Sequence, residues 1–136
     1  MFILKKIIVI VLSFIMLMGC NQNRVHHNKE LEESFHSVMQ KENIDQLKLN
    51  TLTDFTWDKA FIFTPYTPQE NITKQLGAEF KDPSKISSRD DINLVVFMNN
   101  EKVIQYVEVG RKYGDLIADD RNALTPMDNI IEIKKQ

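Results

Sequence analysis

A hydrophobic segment lies within the first twenty residues and precedes a chain that can fold in water. Lys5 and Lys6 precede twelve residues, 7–18, that are apolar except for Ser13. A helix of twelve residues rises about 18 Å, much less than the ~30 Å hydrocarbon core of a bilayer. A short positive region followed by such a segment is typical of a secretory signal peptide. We therefore predict that residues 1–19 are a signal peptide and not a permanent membrane span.

The apolar segment ends in Leu17-Met18-Gly19-Cys20, which resembles the lipobox of bacterial lipoproteins. The resemblance implies that Leu17 fits an apolar pocket of the signal peptidase and that Gly19 lets the backbone enter the cleavage site. It also implies that Cys20 receives a diacylglycerol group and becomes the mature N-terminus. Met18 departs from the small residue usual at its position. The resemblance predicts anchoring to the cell membrane, on its extracytoplasmic face, through lipid on Cys20.

Charge and cysteine content exclude several classes of protein. Removing residues 1–19 takes away two of the 17 basic residues and none of the 19 acidic ones, so the formal charge changes from −2 to −4. An acidic domain of this kind is not expected to bind nucleic acid. The single cysteine excludes a disulfide framework. Residues 20–28 contain few residues that could join a core, and we expect them to be the lipidated cysteine and a tether.

Hydrophobic spacing and capping residues predict two helices. In residues 29–42, four apolar residues recur at helical spacing after Asn28, a candidate N-cap. These four are Leu31, Phe35, Val38 and Met39. Residues 67–70, Thr-Pro-Gln-Glu, match a capping box with proline at the first helical position, and Gly77 is suited to end that helix after Leu76.

Residue alternation predicts about five strands. They cover residues 47–49, 56–64, 92–98, 101–109 and 130–133. The strand at 92–98 is apolar on both faces, which indicates a central strand covered on both sides. In the next strand Val103, Val107 and Val109 are expected to share one face. Asn99-Asn100 suits the type I′ turn between the two strands.

The order of these elements predicts a single small α+β domain over residues 29–136. Hairpin connections favour an antiparallel sheet of about five strands with two helices packed on one face. Residues 55–68 with Leu76-Gly77, and residues 94–97 with 103–109, resemble runs in small uncharacterised bacterial lipoproteins. That resemblance implies a shared α+β domain and no activity that could be carried over.

Catalytic and metal-binding patterns are absent from the sequence. There is no Gly-x-Ser-x-Gly elbow and no phosphate-binding loop. Of the three histidines, His26 and His27 fall in the predicted tether and His36 falls in a helix, so we predict no metal site and no cofactor. The prediction is a binding or structural module of the cell envelope and not an enzyme. Two alternatives stay open: a small envelope hydrolase using acids such as Asp58 and Asp115, and an inhibitor or immunity-type protein.

Aromatic residues around one strand suggest where such a module would bind. Trp57 and Tyr66 stand at the two ends of the predicted strand 56–64, and Arg111 and Tyr113 follow the hairpin. If the two segments meet, these four side chains would line a groove for an envelope protein or a glycan. Packing of Trp57 in the core is the competing interpretation.

Overall fold

The computed structural model describes residues 3–8, 24–117 and 123–136. Residues 3–8 are helical, and no helix within the described ranges is long and apolar enough to cross a membrane. The predicted lipobox, the cleavage site and Cys20 lie outside the described residues, as do tether residues 21–23.

The described part of the chain alternates short helices and strands. The helices are α1 (Lys29–Met39), α2 (Leu49–Leu52) and α3 (Gln69–Leu76), with a 3₁₀ turn at Ile86–Ser88. The strands are β1 (His26–His27), β2 (Gln46–Lys48), β3 (Lys59–Phe63), β4 (Ile92–Asn99), β5 (Lys102–Gly110), β6 (Asp115–Leu116) and β7 (Ile130–Lys134). The predicted α+β class is confirmed.

The strands form two sheets where the sequence predicted one. The main sheet has the order β1-β5-β4-β3, in which β1 runs parallel to β5 and the other pairs are antiparallel. The small sheet has the order β2-β7-β6. Every second residue of β7 is buried, with Ile131 and Ile133 facing inward. This single apolar face lets the small sheet cover the main sheet instead of extending it.

The two main helices pack on opposite faces of the main sheet, so the prediction of one face is wrong. On one side α1 places Phe35 and Met39 in a core with Val95, Phe97 and Val107, and the small sheet completes this cover. On the other side α3 contributes to a separate core; this contains Ile72, Leu76, Leu94 and Val96. The physical reason is that successive side chains of β4 point to opposite faces of the sheet and are apolar on both, so β4 presents a hydrophobic surface to each side.

Local capping follows the sequence at two of four helix ends. The Asn28 side chain accepts a hydrogen bond from the Leu31 amide at 2.9 Å, which confirms the N-cap of α1. Gly77 ends α3 in the left-handed conformation with φ 64°, as predicted. The capping box is wrong, because the Thr67 hydroxyl donates to the Thr64 carbonyl and Pro68 is the N-cap. α1 ends at Met39, three residues before the predicted end.

The β4–β5 hairpin turns one residue later than predicted. Asn99 pairs with Lys102, so Asn100 and Glu101 form the turn, with φ of 51° and 64°. Asp58 fixes this position, since its Oδ2 accepts a hydrogen bond from the Asn100 amide at 2.9 Å.

A β-bulge follows the turn. Phe97 pairs with Gln105 but Met98 pairs with Val103, which leaves Ile104 as an extra residue. Val103 therefore packs on the α3 side whereas Val107 packs on the α1 side, so the prediction that they share a face is wrong.

Replacing Glu101 with glycine should stabilise the domain. Glycine adopts positive φ without steric cost, and we expect Glu101→Gly to raise the free energy of unfolding by about 0.5–1 kcal/mol. Urea unfolding followed by Trp57 fluorescence measures it. The matched control is Lys102→Gly, one residue into β5, which should lower the free energy of unfolding. Equal destabilisation by both variants would contradict the assigned turn.

Candidate functional site

Trp57 does not line a surface groove. Its side chain is 5% exposed, packs edge-on to Phe97 at 5.7 Å and donates from Nε1 to the Thr53 hydroxyl at 3.2 Å. Lys59 pairs with Met98 and Phe63 with Leu94, which places Trp57 beside the β4–β5 turn at one end of the sheet. The competing interpretation of this residue, core packing, is correct.

Tyr66 and Arg111 lie at the other end of the sheet. Phe63 pairs with Leu94, and Ile92 pairs with Gly110, so the segments that follow β3 and β5 both leave the sheet at the end where β4 begins. Tyr66 is 60% exposed and has φ 64°, which is unusual for an aromatic residue. We call this surface the Tyr66–Arg111 edge.

Tyr113 faces away from this edge toward α1. Its hydroxyl accepts a hydrogen bond from Gln40 Nε2 at 3.2 Å, and its ring packs against the α1-side core. Lys112 Nζ lies 5.3 Å from the ring centroid. Of the four predicted groove residues, only Tyr66 and Arg111 come to the same edge.

Asp58 and Asp115 lie at opposite ends of β4. Asp58 binds the turn after Asn99, whereas Leu116, next to Asp115, donates its amide to Asn93 Oδ1 at 3.2 Å. Six residues of strand separate these points, which is about 20 Å. Paired carboxylates in glycosidases are about 5–9.5 Å apart, so these two acids could not act on one bond.

The chain enters the domain through β1, where the sequence predicted a tether. His26 and His27 pair in parallel with Gln105 and Tyr106. The pairing is extended by Asn28, whose Nδ2 donates to Gln105 Oε1 at 2.8 Å. A polar segment is thus folded onto the edge of β5 directly before α1.

This pairing brings His27 between two glutamates. The ligand-capable atoms of His27, Glu32 and Glu108 all lie within 4.8 Å of one another, and we call this set the His27 cluster. His27 Nε2 contacts Glu32 Oε1 directly and is 3.6 Å from Glu108 Oε2. The three side chains are 26%, 17% and 23% exposed, so the cluster is half-buried with one side open to solvent.

Neighbouring groups hold each member of the cluster in place. The Glu108 amide donates to Glu32 Oε1 at 2.8 Å, and Arg89 Nη1 donates to Glu108 Oε1 at 2.8 Å. The imidazole of His27 stacks on the Tyr106 ring with centroids 4.6 Å apart. Arg89 also bonds to Asp91, and this hydrogen bond lowers the pKa of the Asp91 carboxyl.

An open depression adjoins the cluster. It has a volume of about 630 Å³ and its lining includes Arg24, Val25, Phe80 and Lys81. The Phe80 ring lies 6.0 Å from the Tyr106 ring, which also carries His27 on its face. The Tyr106 ring thus lies against both His27 of the cluster and Phe80 of the depression.

Sequence reasoning missed the His27 cluster because its members are far apart in the chain. His27 falls in the predicted tether, Glu32 in the predicted helix at 29–42 and Glu108 in the predicted strand at 101–109. Only the parallel pairing of β1 with β5 joins them. The one signal in the sequence was the N-cap Asn28, since a cap at this position fixes the chain immediately after His27.

Comparison with protein-family models, with curated proteins and with solved structures found no match for this chain. The assignment of function therefore rests on the residues and geometry described above.

The Arg111–Asp115 ion pair should make stability depend on pH. Hydrogen bonding from Arg111 lowers the pKa of Asp115, so the pair stabilises the fold above the ordinary pKa of aspartate, and the contribution is lost as the pH falls through the lowered value. We expect Asp115→Asn to lower the free energy of unfolding by about 0.5–1 kcal/mol at pH 7, and the difference should shrink below about pH 4. Urea unfolding at several pH values measures it.

The control is Asp54→Asn, an exposed aspartate without an ion pair among the described residues. This variant should unfold like the parent protein throughout the pH range. A deficit of Asp115→Asn that stays constant down to pH 2 would contradict the electrostatic explanation.

Proposed function

We propose that this chain is a lipoprotein anchored through Cys20 to the extracytoplasmic face of the cell membrane, with a folded domain that acts as a binding or structural module of the cell envelope. One observation carries the proposal. His26, six positions after Cys20, already lies in β1, so a folded domain follows the lipobox-like segment closely. This arrangement supports a lipidated mature N-terminus that leads directly into a folded domain.

The short connection supports close attachment to the membrane. His26 is six positions after Cys20 in the sequence, and a fully extended chain spans about 3.3–3.6 Å per residue. The sheet would then lie within about 20 Å of the lipidated residue. The formal charge of −4 for residues 20–136 disfavours tight contact with anionic headgroups, so the domain would stand beside the bilayer.

The Tyr66–Arg111 edge is the surface that we propose for binding. An exposed aromatic ring at the same end of the sheet as a guanidinium suits an acidic protein or a glycan of the envelope. The ring supplies apolar area, and Arg111 supplies directed hydrogen bonds from the N–H groups that Asp115 and the Asp90 carbonyl do not use. The separation of Asp58 and Asp115 gives no support to the hydrolase alternative. An inhibitor or immunity-type protein would be one form of such a binding module.

Lipidation is tested by metabolic labelling. Bacteria expressing the full chain with radiolabelled palmitate should yield a labelled protein in the membrane fraction, and Cys20→Ala should lose the label because its side chain has no thiol. The control is Gly19→Ala, which keeps a small residue at the cleavage site and should stay labelled. An unlabelled parent protein, or label that survives in Cys20→Ala, would refute the proposal.

A further inference from the structure

We propose that the His27 cluster is a binding site for a divalent transition-metal ion of the zinc class, held by His27 Nε2 and one carboxylate oxygen each from Glu32 and Glu108. The site does not depend on the lipid anchor. It is assigned from the positions of the three side chains, from their supporting contacts and from their charge.

The distances suit a small ion. Zinc binds imidazole nitrogen and carboxylate oxygen at about 2.0–2.2 Å, so two ligand atoms at a tetrahedral ion are about 3.4 Å apart. The separation of 3.6 Å between His27 Nε2 and Glu108 Oε2 is close to this value. The direct contact of His27 Nε2 with Glu32 Oε1 would lengthen to admit the ion through small shifts of the two side chains that keep the hydrogen bond from the Glu108 amide to Glu32 Oε1.

The ligand types favour zinc over calcium or magnesium. Calcium and magnesium are bound by six or more oxygens, whereas this cluster offers one imidazole nitrogen and two carboxylates. Three protein ligands with a water in the fourth position are a common zinc arrangement. The partial exposure of the cluster leaves a direction from which water can reach the ion.

The supporting contacts resemble the outer shell of a metal site. Metal-binding carboxylates are usually hydrogen-bonded by neighbouring groups, which orient their free oxygens. Here Arg89 binds one oxygen of Glu108 and leaves the other facing His27. The Glu108 amide orients Glu32, and Tyr106 holds the imidazole plane. The ligands stand on β1, α1 and β5, which are regular elements.

The charges around the cluster also favour a divalent cation. Arg89 pairs with Glu108 and with the mostly exposed Asp91, whereas Glu32 contacts His27, so these three carboxylates and one guanidinium leave two negative charges in excess when His27 is neutral. A half-buried excess of negative charge is costly because the carboxylates are partly removed from water. One divalent ion would neutralise it.

The test is titration of the full chain with Zn²⁺ in detergent micelles, in a Cys20→Ser background so that the thiol cannot bind the metal. We expect saturable binding of one ion per chain. His27→Ala and Glu108→Gln should each weaken the affinity at least about tenfold, because each removes a ligand. The matched controls are His26→Ala and Glu33→Gln, adjacent residues outside the cluster, which should bind within about twofold of the background protein.

A second measurement does not require the variants to fold. Hydrogen exchange of the Cys20→Ser background protein, read by mass spectrometry, should slow on addition of Zn²⁺ in peptides covering residues 26–33 and 105–110 and stay unchanged around Trp57. No saturable Zn²⁺ binding, equal binding by His27→Ala, or protection elsewhere in the chain would each overturn the proposal. Saturable binding of Ca²⁺ in preference to Zn²⁺ would overturn the assigned class of metal.

Discussion

Seven of the eight residues of β4 are buried, so the main sheet needs apolar cover on both sides. α1 and the small sheet supply it on one side, and α3 with the segment up to Ile86 supplies it on the other. Because β3 and β5 pair with the two edges of β4, its backbone hydrogen bonds are satisfied as well. Each flanking element can thus remain short, since its stability comes from packing on this strand and not from its own length.

The sequence was sufficient for features set by nearby residues. The N-cap Asn28, the left-handed Gly77 and the two-faced pattern of β4 all follow from spacing within a few positions. Features that depend on residues distant in the chain could not be predicted from the sequence. The turn moved to Asn100-Glu101 because Asp58, 42 residues earlier, binds the Asn100 amide. The capping box at Thr67 failed for a local reason: its hydroxyl donates to the Thr64 carbonyl, three residues earlier, and the helix begins after Pro68.

The candidate sites show the same division. Trp57 was placed at an exposed strand start because the sequence could not show that Phe97 and Thr53 enclose it. For Tyr66 and Arg111 the sequence analysis left open whether their segments meet, and the pairings of β3 with β4 and of β4 with β5 place both segments at the same end of the sheet. The His27 cluster was invisible because a two-residue parallel strand has no sequence signature, and composition alone suggested an unfolded segment.

β1 depends on side chains more than on its own backbone pairing. A strand of two residues makes few ladder hydrogen bonds and would be marginal by itself. Stacking of His27 on Tyr106, the contact of His27 with Glu32 and the Asn28–Gln105 hydrogen bond compensate for this. Because α1 starts at Lys29, these contacts also fix its first turn on β5. In the anchored form proposed above, any pull on the lipid would reach the central sheet through this junction, so the half-buried charges lie where the chain passes from membrane to domain.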